Sequence, residues 1–310
     1  MPSFLYNCQS RWAGGLPADA PKTDEEALAR IDQLYKDGVP FFTKESIRSA
    51  LEQMQRPATG DGKVFIKGVD GTVVEFDNQL DATRKRAILA EDEELTLIKP
   101  VLRYDCRSHL KHRIWNHPFD AELSPFCSMS LYHDTETKSL NPNKLAPKSR
   151  EAVAELFEKS KRTWGESDSC KRLLAILDSS AAVHTISKIV AVSLGSLVIP
   201  RHPKEQESSP FQHALLLTLR EWVIQRSAGS PCYTQDPIYT EIDHGILADH
   251  GVEILEDPHA WLEMNDQSIV VSISSNVPSR EMVTDLARPA VIIWNRVTDD
   301  DYDQKGGPGL

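Results

Sequence analysis

No two of the five cysteines, Cys8, Cys106, Cys127, Cys170 and Cys232, form a C-x-x-C pair, and their number is odd. A disulfide framework is therefore not expected, and the thiols read as reduced, in a reducing compartment. The chain also lacks any run near the roughly 18 apolar residues that a membrane helix needs. Its start, "MPSFLYNCQSRWAGG", has no charged-then-apolar secretory pattern. A cytoplasmic protein with no membrane partner is the expectation. Positive charge is short as well: 35 Lys and Arg stand against 46 Asp and Glu, a net charge of −11. That argues against a protein coating nucleic acid, DNA included, because such binding is driven mainly by phosphate neutralisation. There is no G-x-x-x-x-G-K-[ST] phosphate loop, and no internal repeat is visible.

What is present is an ordinary globular composition. With 310 residues, 40% of them hydrophobic, the chain can bury one large core or two modest ones. The first 30 or so residues, rich in Pro, Gly and Ala, read as a loose arm. "TDEEALARIDQLYKDG" is an amphipathic helix with Thr23 as cap and Gly38 as stop, and "TKESIRSALEQMQ" is a second, capped by Thr43 or Ser46. "KVFIKGVDGTVVEF" reads as a hairpin around Asp70-Gly71. "TRKRAILAEDEELTLI" has a helical pattern, and "LNPNKLAPKSR" interrupts any regular element and reads as a boundary. The division expected is an N-terminal extension over 1–150 with helices and a hairpin near 63–77, an α/β domain over 151–298, and an acidic, disordered tail over 299–310.

Beyond the boundary, helices "SREAVAELFEKSKRTWGES" and "CKRLLAILDSS" precede a regular alternation. Strands near "KIVAVSLGSL", "PCYTQDP", "VEIL", "SIVVSISS" and "AVIIWN" are separated by "QHALLLTLREWVIQRS", "TEIDHGILADHG", "DPHAWLEMN" and "SREMVTDLA". Such an alternation predicts right-handed crossovers and a Rossmann-like, doubly wound, mainly parallel five-stranded sheet. In that fold ligands bind beyond the carboxyl ends of the strands. The polar residues falling there are Ser193, Gly195 and Ser196 after the first strand, Asp236 to Glu241 after the second, and Ser272, Ser274, Ser275 and Asn276 at the fourth. Helix capping by Ser275, Asn276 or Ser279 is the competing role for the last group.

The first turn, "SLGSL", holds one glycine where a dinucleotide fingerprint needs three, so no nicotinamide or flavin cofactor is expected. Ser193 does not stand in G-x-S-x-G, although Ser193, Ser196 and Ser274 are the contenders if an acyl-enzyme serine exists. Cys106, His109, His112 and His117 do not close a metal-binding set, and no metal is assigned. His184, His213 and His244 read as packed or capping. Between Lys99 and Arg113 lies a local basic stripe of Lys99, Arg103, Arg107, Lys111 and Arg113 against Asp105 alone. It reads either as a solvated face balancing acidic neighbours or as a phosphate-backbone contact.

The stretches "KIVAVSLGSL", "FQHALLLTLREWV", "YTQDPIYTEIDHGILADHGVEIL" and "ARPAVIIWN", within about 185–296, resemble the SRR-like (sensitivity to red light reduced) domain family in its fungal branch. Plant and animal members tend to carry a Met-Pro-His-Cys-like segment where this chain has Ser274-Ser275-Asn276-Val277-Pro278. The chain is further similar to the fungal arginine-containing cyclodipeptide synthases. That resemblance implies a cyclo-arginyl dipeptide made from arginyl-tRNA and a second aminoacyl-tRNA, without ATP, metal or cofactor. Set against the needs of that chemistry, position at the strand ends suggests catalytic roles for Ser193, Ser274, Asn276 and Tyr239, and substrate contacts from Ser196, Asp236, Glu241, Asp243, Ser272 and Ser275. Arg103, Arg107, Lys111 and Arg113 would meet the tRNA. The competing expectation is a non-catalytic SRR-like regulatory or interaction protein.

Overall fold

The structure, a computed structural model, describes residues 4–8, 10–15, 17–56, 62–78, 83–85, 94–116, 125–137, 149–180, 185–198 and 205–296. They fall into two compact units, the first made of residues up to 144 and the second of 145–297. The expected boundary over 140–148 and the acidic tail lie outside the described residues.

In chain order the first unit contains β1 (Phe4–Asn7), β2 (Ser10–Trp12), α1 (Asp24–Lys36), α2 (Lys44–Gln55), β3 (Lys63–Lys67), β4 (Val73–Asp77), β5 (Thr83–Lys85), β6 (Glu94–Tyr104), α3 (Arg107–Asn116) and β7 (Met129–Thr137). The strands form two sheets, ordered β1-β7-β6-β5 and β2-β4-β3, and every pairing is antiparallel. Thr23 caps α1 by accepting from the Glu26 N–H, and Thr43, not Ser46, caps α2. The hairpin forms as expected, with Lys67 opposite Val73 and Gly71 at φ 87° in the loop.

Two expectations for this unit are corrected. The N-terminal stretch supplies β1 and β2 to the two sheets and is not a loose arm over those residues. The described ends of "TRKRAILAEDEELTLI", 83–85 and 94–98, are strand and not helix. The physical reason is a register shift opposite β7 between Leu97 and Lys99. Such a bulge breaks the two-residue alternation by which a strand is recognised, leaving the consecutive residues Ile98 and Lys99 both exposed.

The second unit contains α4 (Arg150–Glu166), α5 (Asp168–Ser180), β8 (Lys188–Val192), α6 (Glu205–Ile224), β9 (Cys232–Gln235), α7 (Glu241–Asp249), β10 (Glu253–Ile254), α8 (His259–Glu263), β11 (Ser268–Ser272), α9 (Ser279–Leu286) and β12 (Val291–Trp294). Its five strands are all parallel, in the order β10-β9-β8-β11-β12. The chain thus builds outward from β8 through β9 to β10, then returns to the other side of β8 with β11 and β12.

Both sheet faces are apolar, as a parallel sheet requires. Ile189, Ala191, Ile269 and Val271 pack in one cluster with Val153, Phe157, Leu216, Leu219, Trp222, Ile246 and Leu247 from α4, α6 and α7. Alternation along a strand turns Val190, Val192 and Val270 to the opposite face. They are buried there, and Trp261, Met264, Met282 and Val283 of the α8–α9 region are buried as well. Each such side chain contributes about 1.5–3 kcal/mol by leaving water. Among the described residues no helix is long and apolar enough to cross a membrane.

Candidate functional site

The carboxyl edge of the parallel sheet is where the backbone departs from ordinary geometry. Ser193 follows β8 at φ 61°, and Ser274 follows β11 at φ 55°. Among the described residues they are the non-glycine positions with left-handed backbone. Each costs about 1–3 kcal/mol relative to a relaxed residue, and such strain concentrates at functional sites. β8 and β11 are neighbours, and between them strand order reverses, which is where an open parallel sheet forms a ligand crevice.

The side chains at this edge divide into those left exposed and those absorbed into the fold. Ser275 Oγ donates to Ser193 Oγ at 2.9 Å, joining the ends of β11 and β8, and also accepts from the Val277 N–H at 3.2 Å. Ser274 is exposed and bracketed by Asn295, whose Oδ1 accepts from the Ser274 N–H at 2.5 Å and whose Nδ2 donates to Ser274 Oγ at 3.1 Å. Asn276 is exposed and makes no side-chain hydrogen bond among the described residues. The helix that follows, α9, has no side-chain cap at all. Capping therefore does not explain Ser275, Asn276 or Ser279. Ser272 is 3% exposed, and its Oγ is buried with no hydrogen-bond partner among the described residues.

The loop after β8 is held from below by carboxylates. Asp236 accepts from the Gly195 N–H at 2.8 Å with one oxygen and from the Ile238 N–H at 3.1 Å with the other. Asp243, fully buried, accepts from Leu197 N–H at 2.7 Å, Ser196 Oγ–H at 2.8 Å, Thr240 N–H at 2.7 Å and Thr240 Oγ1–H at 2.8 Å. These bonds include the capping box of α7. They also occupy the backbone N–H groups of Gly195 and Leu197, while Ser193 donates to Gln235 O and Val198 to Ser196 Oγ. The turn thus has few backbone N–H groups left to offer a phosphate, in keeping with the missing glycines. Gly195 stands at φ 75°, and a Cβ there would sit 3.1 Å from Ser209 Oγ, so only glycine suits the position.

Tyr239 points inward. Its hydroxyl lies 2.9 Å from His213 Nε2 and 2.9 Å from Thr234 Oγ1. His213 Nδ1 is 2.8 Å from the Ser209 carbonyl, which only accepts, so Nδ1 carries the ring proton and Nε2 receives the phenol. Burial holds His213 below its ordinary pKa and pushes Tyr239 well above its own, the latter reinforced by Asp236. Both groups are neutral at physiological pH. Glu241, by contrast, is exposed in the first turn of α7.

The structure thus brings Ser193, Ser274, Ser275 and Asn276 to the open edge, with Asp236 tied to the loop among them. It does not leave Asp243 and Ser196 free for a ligand: both are buried and satisfied within the fold, which corrects their assignment as substrate contacts. Tyr239 is likewise absorbed into the fold, its hydroxyl occupied on two sides. His213 is packed, as its sequence reading expects. Asn295 and Gln235 are not among the sequence candidates: Asn295 directly follows the last strand, so the strand-end criterion reaches it, whereas Gln235, which donates to Asp257 at 2.7 Å and accepts from Ala260 N–H at 2.8 Å, carries no such signal. A depression of about 380 Å³ lies elsewhere in this unit, lined by residues of α4 and α7 including Arg150, Glu158, Asp249 and His250. It contains none of the strand-end residues, and the Arg150–Asp249 ion pair, at 2.6 Å, crosses it.

In the first unit every residue assigned to tRNA has an acidic neighbour. Lys111 pairs with Asp32 at 2.8 Å and Arg107 reaches the same carboxylate at 3.9 Å. Arg113 and Arg103 share the buried Asp105 at 3.0 and 3.5 Å. Arg107 also stacks on Tyr35, 4.0 Å from the ring centre.

Fold and site together define a mixed α/β protein with a parallel five-stranded sheet whose carboxyl edge carries two strained serines and exposed polar side chains. Residues 153–306 match the family described as the SRR1 domain. The match begins ahead of the stretches singled out in the sequence, taking in most of α4 and all of α5. No curated protein and no solved structure matches the chain.

Proposed function

We propose that the chain is an aminoacyl-tRNA-dependent acyltransferase of the arginine cyclodipeptide synthase kind, acting through a Rossmann-like crevice. The observation that carries this reading is the pair of left-handed serines at the ends of adjacent strands, linked by the Ser275–Ser193 hydroxyl bond, with Asn276 free beside them. Strained, small, hydrogen-bonding groups at an open sheet edge suit the orientation of an ester carbonyl and of the oxyanion that forms on it. The reaction class rests on the resemblance of the sequence to the fungal synthases; the SRR1 match covers the sheet that carries these serines and suits both this reading and the one below.

In this reading the amine of one aminoacyl group attacks the ester carbon of another. The new C–N bond forms, the C–O bond breaks, and the tRNA 3′ hydroxyl leaves with a proton. The free amine of the resulting dipeptidyl ester then attacks its own ester carbon, closing the ring and releasing the second tRNA. The ester is already activated, so positioning and charge stabilisation are what the protein must add. Ser193, Ser274 and Asn276 orient the reacting carbonyl, and the exposed Glu241 is the carboxylate open to an arginine side chain.

A second reading, an SRR-like interaction module, is favoured by one observation: Asp236, Asp243 and Tyr239 are all engaged inside the fold. The purified protein incubated with arginine, the other amino acids, ATP, total tRNA and synthetases decides between them. A cyclo-arginyl dipeptide that vanishes after ribonuclease treatment establishes the synthase. Its absence, with arginyl-tRNA verified in the mixture, removes the synthase reading and leaves the module.

A further inference from the structure

In the first unit three side chains from distant parts of the chain converge in the interior. Cys8 follows β1, Asn78 follows β4, and His133 lies on β7. The β1–β7 register pairs Tyr6 with His133, and Cys8 N–H extends the ladder to Leu131 O at 3.3 Å. Cys8 and His133 are thus diagonal neighbours on one face of the sheet. Cys8 Sγ stands 3.0 Å from His133 Nδ1, and His133 Nε2 stands 3.1 Å from Asn78 Oδ1. The three residues are 4%, 1% and 7% exposed.

The tautomer follows from the partners. An amide oxygen only accepts, so Nε2 carries the proton and the Nδ1 lone pair faces the sulfur. Nucleophile, base and orienting group then stand in the serial relation that nucleophilic catalysis requires. A buried thiol needs no such arrangement, since cysteine packs as a small apolar side chain.

We propose that Cys8, His133 and Asn78 form a nucleophilic site at which Cys8 accepts an acyl group from a small, uncharged activated ester. Sulfur attacks the carbonyl carbon while its proton passes to His133 Nδ1. The ester C–O bond breaks, the leaving alcohol takes that proton, and a thioester remains on Cys8. No oxidant, reductant or metal enters. Burial, and after it the Asp77 charge, pushes the Cys8 thiol up to about 12, so the resting sulfur is a neutral thiol. The proton therefore leaves as the S–C bond forms, and an uncharged acyl donor is the class suited to so apolar a place. This inference is independent of the reaction proposed for the second unit.

The test uses the full chain with p-nitrophenyl acetate, followed by peptide mapping at short times. Cys127 and Cys232, also buried and also pushed up to about 12, serve as internal controls. Cys8 is expected to acetylate at least about tenfold faster than either, and His133→Gln to slow Cys8 by about 100-fold, the general-base share. Equal rates at Cys8, Cys127 and Cys232, or labelling of Cys8 only in denaturant, overturns the proposal. So does a folded His133→Gln protein that labels Cys8 at the original rate. Should that variant not fold, the comparison among the native cysteines still decides.

Discussion

Asp243 and Glu241, two positions apart, have opposite surroundings. Asp243 is fully buried and its carboxylate meets four donors at 2.7 to 2.8 Å. In Asp243→Asn one acceptor oxygen becomes an amide NH2 facing those donors. Hydrogen bonds to a charged group contribute about 1.5–3 kcal/mol each. The variant is expected to lose about 3 kcal/mol in urea denaturation; a loss below about 1 kcal/mol would mean that the loop after β8 does not depend on this carboxylate. Glu241→Gln, at an exposed position, should leave stability within about 0.5 kcal/mol. If Glu241 holds an arginine side chain, the same variant raises KM for arginyl-tRNA and leaves the second substrate's KM unchanged. The sequence shows that both carboxylates lie near strand ends, but not which has its oxygens filled. That depends on the 193–198 turn folding back onto the N-terminus of α7, a contact between residues about 46 apart. The positive φ of Ser193 and Ser274 is equally silent in the sequence, because serine carries no signature of left-handed backbone.

Between elements, His213 and Tyr239 clamp α6 to the loop entering α7, and Thr234 extends the clamp to β9. Burial keeps the His213 pKa below its ordinary 6.5. The unfolded chain therefore takes up a proton, as pH falls through 6.5, that the folded chain refuses. Stability from this group is complete above that pH and declines below it. Phe157 packs edge-on against the ring, Asp243 partly opposes the shift, and His250 is also held low. Urea midpoints measured from about pH 7.5 down to about pH 5.5 should fall, and His213→Gln should flatten but not abolish that fall. An unchanged slope in the variant would assign the acid sensitivity to other groups. At this scale the sequence was most legible in the second unit, where long apolar helices, Gly251 after α7 and β-branched strands all agree. It was least legible in β6, where a bulge and Pro100 disguise a strand.

For the whole molecule, a net charge of −11 repels a polyanion such as tRNA, so any tRNA contact must rest on a local surface. The stripe on β6 and α3 supplies Arg103, Arg107, Lys111 and Arg113 but spends much of its charge on Asp32 and Asp105. Partnered cations can still meet phosphates, though each must exchange a carboxylate for one, which lowers the affinity gained per contact. The two possibilities separate by ionic strength. If Arg107 and Lys111 touch the RNA backbone, log K falls linearly with log salt, and replacing both by alanine reduces the slope by about 2 as well as the affinity. Removing the acidic partner by Asp32→Asn then tightens binding, because it frees both cations at once. If tRNA binds with a slope indifferent to all three substitutions, the stripe is a self-neutralised face of the first unit. Acceptance of tRNA would then have to come from cations outside this stripe.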